Sequence, residues 1–350
     1  MSARSVLSAL DPDKYEVIEI GIDHTGAWWT GDDLLESLSA GDFHNLKRAA
    51  ILPDPTAQGL YEVHEAEAGE YLVLRTALDV ILPVLHGTFG EDGTLQGFLE
   101  LSDFAYVGAG VLGSALGMDK AVFKDLMRSA GVPVLDSILL LRSEIKQDMD
   151  AALNKVERSL AYPVFTKPVN LGSSVGITKC QTRGDLLEGL VEAALYDRRV
   201  LVEQGINARE IEVSVLGNDR PDVSIPGEVI PSREYYSYEA KYLDGTSQLM
   251  IPADLTVKQS ELVRSLALRA YLAIDCAGMA RVDFLLDRDR DDLYVSEVNT
   301  IPGFTQISMY PKLWEASGLP YSQLLDRLIV LALERKSERD HTERRFRRQN

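Results

Sequence analysis

The order of apolar and polar positions divides the chain into alternating helix-like and strand-like stretches. Near its start, Val6, Leu7 and Leu10 mark one face of a short amphipathic helix. Apolar runs that predict strands follow at residues 15–22, 80–85 and 104–108. Because short apolar strands alternate with helices here, we expect residues 1–117 to form a domain with a parallel α/β sheet.

A second segment, residues 118–208, opens with a well-marked helix. Asp119 is typical of an N-cap, and Gly131 of the position that stops a helix. Apolar residues between them recur every four positions, at Val122, Leu126 and Ala130. Strand-like runs follow at residues 138–141, 163–166 and 199–202. This mixture of helices and strands indicates an α+β subdomain.

The third segment, residues 209–335, begins with alternation of apolar and polar residues from Ile211 to Val215. Such alternation indicates a strand with one buried face. The remaining residues, 336–350, are nearly all polar and include a basic run near the end. We expect them to form a solvated tail outside the three segments.

A predicted hairpin in the third segment carries the most informative polar pattern. Its two strands flank an aspartate-rich turn, and period-two alternation places Arg281 and Asp283 on one face of the first strand. Glu297 and Asn299 share a face of the second strand by the same rule. If the faces coincide, three oxygen ligands and a guanidinium converge, which suits Mg²⁺ with positions left for phosphates. A half-solvated hairpin is the alternative, and Gly303 favours the ligand site because it permits close backbone approach.

Two lysines lie at positions that suit a phosphate ligand. Lys120 is in the first turn of the predicted helix, and Lys167 ends a strand just before a Gly/Ser loop at residues 169–176. Such a loop can fold over phosphates and donate backbone N–H groups. It is not a P-loop, because nothing in the chain matches G-x-x-x-x-G-K-[ST]. Ordinary surface lysines and a flexible hairpin loop are the alternatives.

Two further loops have the composition of a site for a small polar molecule. Residues 86–93 follow a predicted buried strand, where open α/β sheets place ligands, and His86 and Glu91 could face a zwitterion. Residues 235–242 are rich in tyrosine, which suits a lid over a polar ligand. A structural His and acid pair and a packed aromatic cluster are the respective alternatives.

Composition narrows the class of protein. Acidic residues outnumber basic ones by 54 to 36, giving a formal net charge of −18, so we expect no nucleic-acid partner. An anionic ligand would need a local cationic pocket. The two cysteines, Cys180 and Cys276, lack metal-ligand spacing and indicate a reducing compartment. We find neither an apolar run of about 20 residues nor a signal-peptide pattern, and therefore expect a cytoplasmic protein without membrane contact.

One glycine motif would indicate a different class of protein, a dinucleotide-binding enzyme. Gly108, Gly110 and Gly113 match the dinucleotide-binding pattern G-x-G-x-x-G after a predicted strand. No clear second strand ending in an acidic residue follows about 20 residues later, as ribose binding would require. A nicotinamide-dependent dehydrogenase is therefore disfavoured.

Taken in order, these motifs resemble the D-alanine–D-alanine ligases of the ATP-grasp superfamily. The resemblance covers residues 2–333 and implies an N-terminal Rossmann-like domain followed by two α+β domains that enclose ATP. The motifs that carry it are residues 86–93, 118–120, 172–176, 238–242, 281–283 and 297–303.

The resemblance also implies roles for individual residues. ATP would be bound by Lys120, Lys167, Ser174, Glu203, Glu210 and Lys241. Two Mg²⁺ or Mn²⁺ ions would be held by Asp283, Glu297 and Asn299. Catalysis would involve Arg281, the Gly303 N–H, Ser173 and Tyr242. The D-alanine sites would include His86, Glu91 and Ser308.

The activity implied is ligation of two D-alanine molecules through a D-alanyl phosphate, by a protein that the resemblance makes a homodimer. Family members begin with a strand and a glycine turn of roughly 20 residues before the helix at Ser2, and the sequence departs from that pattern. The alternatives are therefore a catalytically impaired nucleotide-binding protein, or a ligase that makes D-alanyl-D-lactate or another dipeptide.

Overall fold

The computed structural model of the chain describes residues 1–172, 175–230 and 248–343. The helices there are α1 (Ser2–Ala9), α2 (Leu34–Ala40), α3 (Thr94–Leu101), α4 (Val111–Met118), α5 (Lys120–Ser129), α6 (Arg142–Gln147), α7 (Met149–Glu157), α8 (Arg183–Tyr196), α9 (Val257–Ala273), α10 (Met309–Ala316) and α11 (Tyr321–Asp340). The strands are β1 (Gly21–Ile22), β2 (Trp28–Thr30), β3 (Lys47–Ala50), β4 (Leu60–Ala66), β5 (Gly69–Thr76), β6 (Val80–Ile81), β7 (Ala105–Tyr106), β8 (Ser137–Leu141), β9 (Val164–Pro168), β10 (Thr178–Cys180), β11 (Arg199–Gln204), β12 (Ala208–Gly217), β13 (Asp222–Val223), β14 (Gly227–Ile230), β15 (Gln248–Met250), β16 (Gly278–Asp287) and β17 (Leu293–Asn299).

The first part of the chain contains a sheet in the order β1-β2-β3-β4-β5, with antiparallel neighbours. Parallel pairing, which we expected throughout this segment, is limited in the described residues to β6 and β7. The strand expected at residues 15–22 is reduced to Gly21–Ile22. A tight turn follows it, in which the Asp23 carboxylate accepts from the N–H groups of Thr25 and Ala27. Such a turn returns the chain directly and joins antiparallel strands. The mixed α/β class itself is confirmed.

The middle of the chain forms an antiparallel sheet in the order β10-β9-β11-β8. Helices α7 and α8 cover one face, where Leu153, Leu190 and Val200 share a core. Alternation along β9 and β11 places Lys167 and Glu203 on the opposite face. Helix α5 packs against that second face.

The last sheet runs β15-β14-β12-β16-β17, with β13 also paired to β12. The predicted hairpin is confirmed as β16 and β17. Arg281 lies opposite Asn299 and Asp283 opposite Glu297, and a bulge follows Asp283. The four polar side chains therefore lie on one face of the hairpin, as the alternation predicted. Helices α5 and α9 pack against its apolar face.

Helix α5 begins as predicted. The Asp119 carboxylate accepts from the N–H groups of Ala121 and Val122, and Gly131 has the positive φ, +68°, of a helix stop. The apolar face was predicted incorrectly at Val122, which is exposed. The buried side chains are instead those of Ala121, Phe123, Lys124 and Met127. The difference arises because α5 lies between two sheets, and both of its flanks are covered.

Helix α11 continues through Asp340, so the expectation of a solvated tail from residue 336 is wrong for its first five residues. Lys336 pairs with Asp103, and Arg339 pairs with Glu100 and Asp103. Charged partners on the first part of the chain therefore extend the helix. None of the helices in the described ranges is long and apolar enough to cross a membrane.

Candidate functional site

The polar face of the β16–β17 hairpin forms one part of the site. Arg281 donates from Nε and Nη2 to the two carboxylate oxygens of Asp283, each over 2.7 Å. Asn299 Nδ2 donates to Asp283 Oδ2 over 2.9 Å and to Glu297 Oε1 over 3.4 Å. Three oxygen-bearing side chains and a guanidinium therefore meet within hydrogen-bonding distance.

This group has the chemistry of a site for a hard divalent cation. Asp283, Glu297 and Asn299 offer only oxygen ligands, which Mg²⁺ prefers. They include just two carboxylates, and the described residues contain no cluster of three or more His, Cys, Asp or Glu side chains suited to a metal. A cation held here would therefore need further ligands, such as the phosphate oxygens of a nucleotide.

Arg281 has a second carboxylate partner that the sequence pattern did not single out. Glu212 lies opposite Asp283 on the neighbouring strand β12, and its Oε2 is 3.0 Å from Arg281 Nε. Burial lowers the pKa of the guanidinium, but Asp283 and Glu212 outweigh it and hold that pKa well above its ordinary value. Arg281 is thus a charged group fixed between two carboxylates.

A lysine cluster forms the second part of the site. The buried Glu203 carboxylate lies 2.6 Å from Lys167 Nζ through Oε1 and 2.5 Å from Lys124 Nζ through Oε2. Burial raises the pKa of Glu203, but the two ammonium groups outweigh burial and lower that pKa to about 2. Two cations and one anion give a local positive charge, the cationic pocket that an anionic ligand needs in so acidic a chain.

Lys120 lies between these two parts. Its ammonium donates to the Leu171 carbonyl oxygen over 2.7 Å. Burial lowers its pKa, while Glu297 on the hairpin and Glu203 in the lysine cluster act in the opposite direction. Carboxylates of both parts therefore act on the Lys120 ammonium group.

His86 and Glu91 form the third part. His86 Nδ1 donates to the Ile301 carbonyl oxygen over 3.1 Å, and burial lowers the pKa of the imidazole. A neutral ring with its proton on Nδ1 leaves Nε2 as an acceptor, 3.4 Å from Ser2 Oγ. Glu91 accepts from the Gly87 N–H over 2.6 Å, and burial raises the pKa of its carboxyl to about 7.

The loop after β17 brings Gly303 and Ser308 together. Ser308 Oγ accepts from the Thr305 N–H over 3.1 Å and lies 2.8 Å from Thr305 Oγ1. A Cβ atom at position 303 would lie 3.1 Å from Ser308 Oγ, closer than most Cβ contacts. Gly303 therefore leaves the space that lets its backbone approach this hydroxyl group.

The other predicted site residues are placed as follows. Glu210 lies on β12, two residues before Glu212, opposite Leu285 of β16. It therefore shares the sheet face that carries Asp283. The residues Ser173, Ser174, Lys241 and Tyr242, together with the tyrosine-rich loop, lie outside the described residues.

Sequence reasoning missed Lys124 and Glu212. A signal for Lys124 existed, because it follows Lys120 by four residues and therefore shares a helix face with it. Glu212 was placed on the polar face of its strand, but its partner is identified only by the pairing of β12 with β16.

The glycines of the dinucleotide-like motif have a packing role. Gly113 lies against the backbone of Asp275 and Cys276, where a Cβ atom would approach within 3.1 and 3.2 Å. A Cβ atom at Gly278 would lie 3.0 Å from the Gly108 backbone nitrogen. These close contacts join α4 and the preceding loop to β16 and the segment before it, and they account for Gly108 and Gly113 without a nucleotide.

Comparison with known proteins identifies the family. Family models described as D-ala D-ala ligase N-terminus and D-ala D-ala ligase C-terminus match residues 1–109 and 126–330. The chain belongs to the D-alanine–D-alanine ligase family. The D-alanine–D-alanine ligase of Heliobacterium modesticaldum is 47% identical over 345 residues, which cover 98% of this chain and 93% of that protein.

Solved structures of the ligase family have the same fold. The D-alanine-D-alanine ligase from Coxiella burnetii is 35% identical, with a TM-score of 0.79 over 97% of this chain and 90% of that one. The VanG D-Ala:D-Ser ligase from Enterococcus faecalis is 34% identical, with a TM-score of 0.82 over 95% of this chain and 94% of that one. The ATP-grasp architecture implied by the sequence motifs agrees with both.

Proposed function

We propose that this protein joins two D-alanine molecules into D-alanyl-D-alanine for peptidoglycan precursor synthesis, converting ATP to ADP and phosphate. One observation carries the proposal: a buried lysine–carboxylate cluster and an arginine–carboxylate–amide cluster adjoin in one site, linked by Lys120. The first cluster suits phosphates. In the second, the carboxylate and amide oxygens suit a cation, and the guanidinium suits the negative charge that develops during the reaction. A ligase that uses ATP needs both.

The first step activates a carboxylate. An oxygen of the first D-alanine attacks the γ-phosphorus, the bond to the β,γ-bridging oxygen breaks, and ADP leaves. Lys120 and Lys167 are our candidates for binding phosphate oxygens, and the support for this is that each carries an ammonium group in the site. Positioning and charge stabilisation are the main contributions that a protein makes to phosphoryl transfer.

The second step forms the peptide bond. The amine of the second D-alanine, after loss of a proton, attacks the carbonyl carbon of the acyl phosphate, and phosphate leaves. Negative charge develops on the carbonyl oxygen, and Arg281 and the Gly303 N–H are our candidates for stabilising it. The clamp of Glu212 and Asp283 keeps the guanidinium in place before charge develops.

A divalent cation belongs to this chemistry, and we propose two Mg²⁺ ions held by Asp283, Glu297 and Asn299. The all-oxygen set supports this assignment, since it leaves coordination positions for phosphate oxygens. Bound cations would neutralise phosphate charge. The three side chains orient each other through the Asn299 amide.

The amino-acid sites are proposed at the third part of the site. His86 is fixed to the loop after β17 by its bond to Ile301, and Glu91 lies beside the Gly87 N–H. A carboxyl with its pKa near 7 can accept a substrate ammonium at little cost in charge burial. Ser308 is the candidate for the second D-alanine. Ser173, Ser174, Tyr242 and Lys241 stay predictions from the family resemblance, as does Glu210 at the ribose.

The boundaries of residues 1–117, 118–208 and 209–335 are our proposal for three domains around this site. We also propose a cytoplasmic homodimer. The two free, buried cysteines agree with a reducing compartment. Strand β5 lies at a sheet edge and exposes the apolar residues Tyr71, Leu72, Val73 and Leu74, which suit contact with a second copy. A monomeric mass by light scattering at micromolar concentration would contradict the dimer.

The activity is tested by measuring ADP and phosphate release with D-alanine as the sole amino acid, with L-alanine as the matched control. We expect D-alanine-dependent turnover with D-alanyl-D-alanine as the product. The second acceptor is then varied between D-alanine, D-serine and D-lactate. A preference for D-serine or D-lactate would show that the acceptor is not D-alanine. ATP binding without turnover would favour the catalytically impaired alternative.

A further inference from the structure

Lys124 is a buried lysine that the proposed chemistry does not use. Its side chain is 2% exposed, and its ammonium lies 2.5 Å from Glu203 Oε2. The same ammonium donates to the Leu135 carbonyl oxygen over 3.2 Å. Because both contacts hold it within the protein, Lys124 cannot reach a ligand without breaking a buried ion pair.

Lys167 contacts the same carboxylate, but its side chain is more exposed than that of Lys124. Its ammonium lies 2.6 Å from the other oxygen of Glu203, Oε1, and its side chain is 16% exposed. One carboxylate therefore serves two ammonium groups. The charges of Glu203 and Lys124 balance each other, so the charge of Lys167 is in excess.

We propose that Lys124 is a positioning residue that acts as the permanent counter-ion of Glu203 and so leaves Lys167 available to the phosphates of ATP. This inference rests on the proposed function and adds a residue to it. When Lys167 turns from Glu203 to a phosphate, Lys124 still neutralises the carboxylate. Without Lys124, the same movement leaves a buried carboxylate unpaired, which is strongly unfavourable.

Substitution of Lys124 by methionine tests the inference, because methionine occupies a similar volume without a charge. The probe is the Mg²⁺ complex of a non-hydrolysable ATP analogue, measured by titration calorimetry with the full-length protein. We expect Lys124→Met to raise the Kd of the analogue about tenfold, since Glu203 then retains Lys167. The KM for D-alanine should change less than twofold. If the methionine variant does not fold, Lys124→Gln, which keeps a hydrogen-bond donor, is measured in its place.

A double-mutant cycle with Glu203→Gln separates positioning from general damage. In the Glu203→Gln background no carboxylate retains Lys167. Loss of the Lys124 charge should then change the Kd of the analogue less than twofold. The matched control is Val156→Ala, which removes apolar volume from the core of the same sheet. It should lower the Tm and leave the Kd unchanged.

Three results would contradict the inference or the function on which it rests. An unchanged Kd in Lys124→Met, with a wild-type protein that binds the analogue, overturns the role of Lys124 alone. An equal loss in the wild-type and Glu203→Gln backgrounds also overturns it, because Lys124 then acts independently of Glu203. A wild-type protein that does not bind the analogue refutes the proposed function first.

Discussion

Two carboxyl groups in the site, the buried Glu203 and the partly buried Glu91, have opposite ionisation behaviour. Glu203, in the lysine cluster, has its pKa lowered to about 2, although burial acts against its charge. Glu91, in the loop that begins at His86, has its pKa raised to about 7 by burial, and the hydrogen bond that it accepts from the Gly87 N–H does not compensate. Among the described residues, the difference lies in the partners, which are two ammonium groups for Glu203 and a backbone N–H for Glu91.

The comparison shows how one site can handle two substrates. A carboxylate that stays charged fixes lysines, and fixed lysines suit a phosphate chain that is always anionic. A carboxyl group that gains or loses its proton near neutral pH suits an amino acid, whose ammonium can stabilise the charged form. In our proposed assignment, the part that would bind the nucleotide is therefore preorganised, whereas the part that would bind the amino acid changes its ionisation when the ligand binds.

The largest effect should come from removing the charge of Glu203. In Glu203→Gln the buried ammonium group of Lys124 and the partly buried one of Lys167 face a neutral amide, and we expect the free energy of unfolding to fall by about 3 to 5 kcal/mol. Urea unfolding at pH 7 measures this difference. An unchanged free energy would mean that the lysines lose their protons or reach water, and the contrast with Glu91 would disappear.

A matched surface variant is the control. Lys155 pairs with Glu144 over 3.5 Å, and both side chains are nearly half exposed. Lys155→Met should change the free energy of unfolding by less than about 0.5 kcal/mol, because exposed ion pairs contribute little. Comparing Glu203→Gln with Lys155→Met separates the effect of burying an ion pair from the effect of an exposed ion pair.

A smaller effect should come from Glu91→Gln, with a clear pH dependence. The folded pKa is about 7 and the ordinary value 4.5, so the stability linked to protonation is complete below pH 4.5 and is lost as pH rises through 7. Glutamine carries no titrating proton. We therefore expect the free energy of unfolding of Glu91→Gln, relative to wild type, to rise by about 2 kcal/mol between pH 5.5 and pH 8.

Glu203 should respond to pH in the opposite sense. Its pKa is lowered, so its contribution is present above pH 4.5 and is lost as pH falls towards 2. Unfolding curves of wild type and both variants at several pH values check the two signs together. A relative stability of Glu91→Gln that stays constant from pH 5.5 to 8 would show that Glu91 ionises normally.

How far the sequence predicted the site depended on the range of the interactions. The hairpin was predicted correctly, because period-two alternation sets the faces of Arg281 and Asp283 locally. The Asp119 cap was predicted for the same reason. Lys124 was missed, because the recurrence of Val122 and its neighbours suggested a different buried face. Its burial depends on two sheets that pack around α5, and no local pattern shows them.

The N-terminal sheet shows a similar limit. The apolar runs at residues 80–85 and 104–108 do contain strands, but only Val80–Ile81 and Ala105–Tyr106 are paired. Apolar content predicted burial there, whereas strand length depends on which neighbours supply hydrogen bonds. The roles of Ser308 and Gly303 came from the family resemblance, because a loop has no periodicity to analyse.

The end of α11 has a consequence for biosynthesis. Arg339 bonds to Glu100 and Asp103, partners that precede it by 239 and 236 residues. Contacts of such high sequence separation form late and slow folding. On the ribosome, the first part of the chain emerges long before α11 is made. Its residues Glu100 and Asp103 can form their ion pairs with Arg339 only after that helix has emerged. Completion of the N-terminal part is therefore delayed until α11 has been synthesised.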